Sequence, residues 1–113
     1  MGYMKHNAIV VTSWNPESIN KAADKATEIG MQVIGPSDPV VNGYRSMLVC
    51  PDGSKEGWED SDAGDERRSL FRKWLDEQQY ADGSTSYHWV ELTYGGDYHD
   101  ATVVAHAWEG GTR

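Results

Sequence analysis

Cysteine, phenylalanine and long apolar runs are scarce in this sequence of 113 residues. The single cysteine, Cys50, excludes a disulfide framework within the chain and favours a reducing compartment. No apolar run approaches the ~20 residues that cross a bilayer, and residues 1–6 lack the apolar core of a secretory signal. These absences predict a cytoplasmic protein that has no membrane partner.

Positive charge is also scarce, with 10 Lys and Arg residues against 18 Asp and Glu and a formal net charge of −8. Such a charge repels phosphate backbones, so a nucleic-acid partner is not expected. One basic cluster alternates with acids on a predicted helix and is interpreted as the solvated face of that helix. It comprises Arg67, Arg68, Arg72 and Lys73. An alternative function is an acidic nucleic-acid mimic, or a protein that blocks a basic partner. Its surface would comprise Asp60, Asp62, Asp65 and Glu66.

Hydrophobic spacing and turn residues predict two helices and five strands. The first helix begins with Asn15 as its cap and Pro16 at its first position, and Gly30 ends it. The second helix follows an acidic lead-in, residues 60–65, and extends to Gln78. Its apolar stripe comprises Leu70, Phe71, Trp74 and Leu75. The predicted strands are residues 8–12, 31–34, 44–50, 87–94 and 101–108.

The order of these elements, β-α-β-β-α-β-β, is the ferredoxin-like split βαβ pattern with an extra C-terminal strand. We expect a mostly antiparallel sheet with strand order 5-4-1-3-2 and both helices on one face. The Asn42-Gly43 pair predicts a type I′ hairpin turn before the third strand. Residues 1–113 then form a single α+β domain, in which residues 1–6 and 109–113 are expected to be flexible.

Tryptophan and tyrosine, with five and six copies, suit interfaces because they combine an apolar body with a polar tip. If Tyr94 pairs with Ala101, side-chain alternation assigns the two faces of the last two strands. The expected core side carries Val90, Leu92, Tyr94, Ala101, Val103, Ala105 and Ala107. The expected open side carries Tyr87, Trp89, Glu91, Thr93, Thr102, Val104, His106 and Trp108.

An uncovered aromatic sheet face predicts a binding surface. We expect it to hold a second copy of the chain, as a homodimer, or a host protein or small-molecule ligand. The alternative is that residues 53–60 fold over this face and make it part of the core. The predicted binding residues are Tyr87, Trp89, His106, Trp108 and Trp58.

Motifs for catalysis or metal binding are missing from the sequence. The four histidines lack metal-ligand spacing, and no histidine stands beside Cys50. No catalytic residue, metal or cofactor is therefore predicted, and binding is favoured over chemistry. The alternative is a small hydrolase or metal enzyme built on Asp97, His99 and Cys50. Aromatic residues on an open sheet resemble RNA-recognition domains, but residues 44–49 lack the basic and aromatic motif of their third strand.

Three short segments resemble small uncharacterised open reading frames of tailed bacteriophages. They are residues 51–58 (PDGSKEGW), 80–84 (YADGS) and 89–91 (WVE). The resemblance implies an accessory phage protein that acts in the bacterial cytoplasm. Such a protein inhibits a host or defence factor, or sequesters a small ligand. The sequence therefore predicts a non-enzymatic binding protein that uses an aromatic sheet face.

Overall fold

The computed structural model describes residues 4–55, 57–96 and 100–107. They form an α+β fold in which five strands make one antiparallel sheet, in the order β2-β3-β1-β4-β5. Read from the opposite edge, this is the strand order expected from the sequence. The elements are β1 (His6–Ser13), α1 (Pro16–Ile29), β2 (Val33–Ile34), β3 (Arg45–Val49), α2 (Glu59–Glu77), β4 (His88–Tyr94) and β5 (Thr102–His106).

Helix α1 begins and ends at the residues that the sequence predicts. The side-chain oxygen of Asn15 accepts hydrogen bonds from the backbone N–H groups of Glu17 and Ser18, at 3.0 and 3.4 Å. These bonds satisfy donors that the first turn of a helix leaves without intrahelical partners. Gly30 ends the helix with φ +107°, a left-handed conformation that suits glycine.

Asn42 and Gly43, before β3, have the backbone conformation that was predicted for them, but they do not form a tight hairpin between β2 and β3. Asn42 and Gly43 have φ values of +63° and +76°, as a type I′ turn requires. However, β2 ends at Ile34, and its two residues pair with Val49 and Leu48 at the far end of β3. A longer loop therefore separates the two strands.

The core lies between one face of the sheet and both helices. Alternate residues of β1 and β3 point into it, including Ile9, Val11 and Met47. We call this side of the sheet the covered face. Burying a side chain of this size stabilises the fold by roughly 1.5–3 kcal/mol. The helices contribute Ile19, Ala22 and Ala26 from α1 and Phe71 and Leu75 from α2.

The buried stripe of α2 differs from the predicted one. The helix begins at Glu59, so the acidic lead-in is already helical, and its carboxylates lie near the positive end of the helix dipole. Leu70 is exposed, and Arg68 is buried although the sequence assigned it to the solvated face. The buried positions are Ser61, Gly64, Arg68, Phe71 and Leu75, at the three- and four-residue spacing of one helix face.

The predicted faces of β4 are reversed in the structure, and so are those of Thr102 and Val103 on β5, whereas beyond the bulge Ala105 lies in the core and His106 on the opposite side, as predicted. Tyr87 and Trp89, expected on the open side, are 3% and 6% exposed and belong to the core. Leu92 pairs with Val103, as the predicted register requires, but a bulge follows and Glu91 pairs with Ala105. The prediction that Tyr87 and Trp89 form an open aromatic surface is therefore wrong.

The buried phenol of Tyr87 has specific partners. Its hydroxyl donates a hydrogen bond to the backbone carbonyl of Ser18, at 2.9 Å, and its ring lies 5.7 Å from that of Trp74. Burial raises the pKa of Tyr87, so the phenol stays neutral over a wider pH range. Both helices therefore contact the start of β4, which explains why this aromatic residue lies inside.

Candidate functional site

The side of the sheet away from the helices, which we call the helix-free face, is the candidate site. Side chains alternate along a strand, so the neighbours of core residues point to this face. Strand registers align them in rows across the sheet. The central row crosses all five strands and consists of Ile34, Leu48, Val10, Val90 and His106.

A second apolar row adjoins the first. Ala8 pairs with Leu92, and Leu92 pairs with Val103. The apolar residues at the two edges are the most accessible, with Ile34 at 61% and Val103 at 53% exposed. Val10, Leu48, Val90 and Leu92 are half-buried and Ala8 is only 2% exposed, so the accessible apolar surface lies mainly at the two edges.

Polar and aromatic side chains lie at the two ends of the strands. At one end, the hydroxyl groups of Thr12 and Ser46 are hydrogen-bonded at 2.8 Å, and His88 pairs with Thr12 on the next strand. The ring of Tyr44 is 6.0 Å from that of His88. At the other end, the rings of His6 and Tyr94 are 5.6 Å apart.

Permanently charged residues are missing from the strand positions on the helix-free face within the described part of the chain. The thirteen positions hold apolar, hydroxyl or histidine side chains, although the protein has 28 charged residues. They are His6, Ala8, Val10, Thr12, Ile34, Ser46, Leu48, His88, Val90, Leu92, Tyr94, Val103 and His106. A neutral surface can leave water at far lower cost than a charged one.

The predicted binding residues are divided among several regions. His106 lies on the helix-free face, opposite Val90, and is exposed. Trp58 lies at the start of α2 and is exposed, with the Lys55 ammonium 5.2 Å from its ring centre. An exposed indole does not form the predicted cover over Tyr87 and Trp89, which the helices bury instead. Trp108 lies outside the described residues. Four apolar residues of this face were not among the predicted site residues: Val90 and Leu92, which were predicted to be core, and Val10 and Leu48.

The covered face contains a buried ionic cluster. Glu91, which is 4% exposed, forms ion pairs with two arginines of α2. Its Oε2 lies 3.6 Å from Nε of Arg68, and its Oε1 lies 3.3 Å from Nη1 of Arg72. Arg68, itself 5% exposed, also forms ion pairs with Asp65 and Asp52. Three carboxylates therefore face two guanidinium groups, which keeps each buried charge compensated.

Asp52 connects this cluster to the loop after β3. Its carboxylate accepts hydrogen bonds from the backbone N–H and the hydroxyl of Ser54, at 2.9 and 2.6 Å. Burial raises the pKa of Asp52, but these hydrogen bonds and the charges of Arg68 and Arg67 lower it more, so the pKa lies below its usual value. Gly64 leaves room for this carboxylate, because a Cβ at position 64 would require the Asp52 side chain to shift.

A cleft of about 250 Å³ lies beside the cluster, between the end of α1 and the first half of α2. Cys50, Asp52, Arg67 and Arg68 line it. Cys50 is a half-buried thiol whose backbone N–H donates to the carbonyl of Gln32 at 2.9 Å. Arg68 and Asp52 form an ion pair with each other, and each also binds other groups of this chain. We therefore interpret the cluster as structural, because it attaches the loop after β3 to α2.

The alternative enzyme hypothesis gains no geometric support. Asp97 and His99 lie outside the described residues. Within residues 4–55, 57–96 and 100–107, no group of three or more His, Cys, Asp or Glu side chains is arranged to hold a metal ion.

Neither of the described helices is long and apolar enough to cross a membrane.

Comparison with known proteins gives no relative. No protein-family model, no curated protein and no solved structure matches the chain. The helix-free face must therefore be interpreted from its own geometry and composition.

Proposed function

We propose that this chain is a non-enzymatic binding protein that forms a homodimer through its helix-free face. The observation that carries the proposal is the row of apolar side chains from Ile34 on one edge of the sheet to Val90 and His106 at the other. That row lies on the side opposite both helices, so neither described helix covers it, and a second molecule would bury it.

The dimensions of the face support an interface between proteins. Strands lie ~4.8 Å apart and rise ~3.3 Å per residue, so the five strands span about 19 Å across the sheet, and the longest strand, β1 with eight residues, is about 23 Å long. A standard interface takes ~800 Å² from each partner, so a face of this size would supply the centre of the interface and the surrounding loops its rim. Two such sheets would pack at ~10 Å, with apolar side chains interdigitating.

Charge supports a second copy as the occupant. The chain carries a net charge of −8, so most contacts between two copies bring like charges together. The helix-free face avoids this repulsion because none of its strand positions in the described chain is acidic. A two-fold dimer also needs one self-complementary patch, and a neutral apolar face fulfils that condition.

The proposal is tested by placing a charge at each edge of the face. Ile34→Glu and Val103→Glu replace side chains that are more than half exposed, so a monomer should tolerate them. In the dimer they would bury an unpaired carboxylate, and we expect each to weaken association by about 30-fold or more. Sedimentation velocity over a concentration series measures this dissociation constant.

Matched controls come from exposed apolar residues elsewhere. Val41→Glu in the loop before β3 and Leu70→Glu on α2 introduce the same charge outside the face. We expect both to keep the dissociation constant of the unmodified protein. A monomeric unmodified protein, or an equal effect of all four variants, would overturn the proposal.

We also propose that the architecture is the ferredoxin-like one, extended by an edge strand. The support is the position of β1 between β3 and β4, with each helix connecting two strands that are not neighbours. In this arrangement β5 widens the helix-free face beyond the four strands of the simple pattern.

The biological role is proposed from the sequence resemblance. We infer an accessory phage protein whose dimer inhibits a host or defence factor or sequesters a small ligand. The exposed carboxylates at the start of α2, including Asp60 and Asp62, favour a basic partner as a second candidate. Native mass spectrometry of protein purified from bacteria, at low and high salt, tests both, because only an electrostatic complex should dissociate as salt rises.

A further inference from the structure

Trp58 is an exposed tryptophan in an acidic part of the chain. Its indole is 51% exposed and stands at the start of α2, directly before Glu59 and Asp60. Residues 51–68 contain seven Asp or Glu and three Lys or Arg residues, so this segment accounts for half of the net charge of −8. An accessible aromatic ring in acidic surroundings is suited to contact with a positively charged group.

The ring of Trp58 borders a cleft of about 400 Å³ between α2 and the loop after β3. Sites that hold a ligand group or a small molecule have volumes of this order. Asp60 lines the cleft from the first turn of α2, and Asp52 and Arg67, which have opposite charges, line it as well. The cleft therefore combines an aromatic surface with carboxylates.

A cation of the protein itself already lies on this ring. The Lys55 ammonium is 5.2 Å from the centre of the Trp58 ring, within the ~6 Å that defines a cation–π contact. Both residues are exposed, and such a contact is weak at the surface of a protein, so another cation can replace it. The contact shows which kind of chemical group the ring accepts in these surroundings.

We propose that Trp58 and its cleft bind an arginine side chain of a basic protein segment, and that Lys55 competes with that arginine for the ring. The inference specifies the basic partner that is the second candidate under the proposed function. It does not depend on the dimer, because α2 and the loop after β3 supply most of the cleft.

The charge of the surroundings favours this occupant. An anionic ligand would approach residues 51–68 against their net negative charge, whereas a basic segment is attracted by it. Further cations of such a segment would meet the exposed carboxylates of Glu59 and Asp62 beside the cleft. Arginine is favoured over lysine because its planar guanidinium group stacks on an indole and also binds carboxylates through two parallel hydrogen bonds.

The experiment measures the binding of a hexa-arginine peptide to the full chain by isothermal titration calorimetry. Trp58→Leu should weaken this binding by about five-fold, as expected for the loss of one cation–π contact. The side chain of Trp58 makes no capping hydrogen bond to α2, so the variant should stay folded, which circular dichroism checks. Hexa-lysine should bind more weakly than hexa-arginine, and adenosine monophosphate, an aromatic anion, should not bind.

Trp14→Leu is the matched control. Trp14 is 50% exposed, almost the same as Trp58, but it follows the end of β1, whereas Met4, which lines the cleft, precedes the start of that strand. We expect Trp14→Leu to keep the dissociation constant of the unmodified protein for hexa-arginine.

The competition by Lys55 is tested with Lys55→Met, which keeps an apolar stem and removes the ammonium group. We expect this variant to bind hexa-arginine about two-fold more tightly or better, because the ring is then vacant. The gain should be smaller when Lys55→Met is made in the Trp58→Leu background, where only the general effect of one charge remains. An equal gain in both backgrounds would overturn the competition.

The outcomes separate this inference from the proposed function. Equal binding of hexa-arginine by Trp58→Leu and the unmodified protein would overturn the role of Trp58 and leave the acidic surface as the site of a basic partner. No binding of hexa-arginine would overturn both, while the dimer keeps its own test by sedimentation. Binding of adenosine monophosphate that Trp58→Leu abolishes would overturn the cationic occupant.

Discussion

On β4 the two faces of the sheet differ in a direction opposite to ordinary hydrophobic patterning, whereas on β1 and β3 the covered face is the apolar one. The covered face carries Trp89 and Glu91, with Tyr87 just before the strand, whereas the helix-free face carries Val90 and Leu92. The more apolar pair of side chains is the one that the helices leave accessible. An acidic residue is buried instead, because α2 supplies Arg68 and Arg72 to compensate it. The partners available on the helix, and not hydropathy alone, identify the covered face.

The comparison is also one of charge placement. The covered face buries ionised groups in compensated pairs, whose formation gives little net stability but whose disruption is costly. The helix-free face has no permanent charge at its described strand positions and gains by leaving water. One face holds the chain together, and the other is the one through which we propose that two chains associate.

The largest expected effect comes from removing Trp89. Trp89→Ala should lower the free energy of unfolding by about 3–5 kcal/mol, because it creates a cavity between the sheet and α2. Val90→Ala, the next residue on the other face, should cost no more than about 1 kcal/mol, since Val90 is already half-exposed in the monomer. Urea denaturation at low protein concentration measures both. An equal loss of unfolding free energy in the two variants would contradict the assignment of Trp89 to the covered face and Val90 to the helix-free face.

A comparable but smaller loss is expected when the ionic cluster is broken. Arg68→Met should destabilise the fold by about 3 kcal/mol, because Glu91 then loses one of its two arginines. Arg68→Met combined with Glu91→Leu should be less destabilised than Arg68→Met alone, since no buried carboxylate remains to lose its partner. The exposed pair of Lys25 and Glu28 is the control, and Lys25→Met should cost less than about 0.5 kcal/mol.

The smallest effect concerns Asp52 and pH. Its pKa is lower in the folded chain than in the unfolded one, so its contribution to stability is present above pH 4 and is lost as the pH falls through the folded value. Asp52→Asn should therefore flatten part of the decline in stability between about pH 4 and pH 2. Thermal unfolding followed across this range tests it, and an unchanged acid limb would exclude a role for Asp52. The carboxylate is partly exposed, so we expect a modest change.

Local signals predicted much of the fold. The asparagine cap and the glycine stop set the limits of α1, since each acts through its own backbone neighbours. The strand order also agreed, because short connections leave few ways to arrange five strands. Both helices lie on one face, as expected.

The choice of face could not be made from the same signals. It depended on the ion pairs of Glu91 with Arg68 and Arg72, which lie about twenty positions earlier on α2. Periodicity within one strand does not reveal a contact between a strand and a helix. A signal was present nonetheless: Arg68 and Arg72 share the helical spacing of Phe71 and Leu75. The whole basic cluster was predicted to be solvated, so this spacing was not used. The predicted site therefore included Tyr87 and Trp89, which are core residues.

The bulge at Val104 has a consequence for how large an assembly can grow. It interrupts the regular ladder on β5, and the opposite edge strand, β2, has only two residues. Neither border therefore offers a long straight template onto which further strands could be added in succession. Growth along the hydrogen-bonding direction is therefore disfavoured, so the dimer that we propose through the helix-free face would close at two chains and not extend into a fibre.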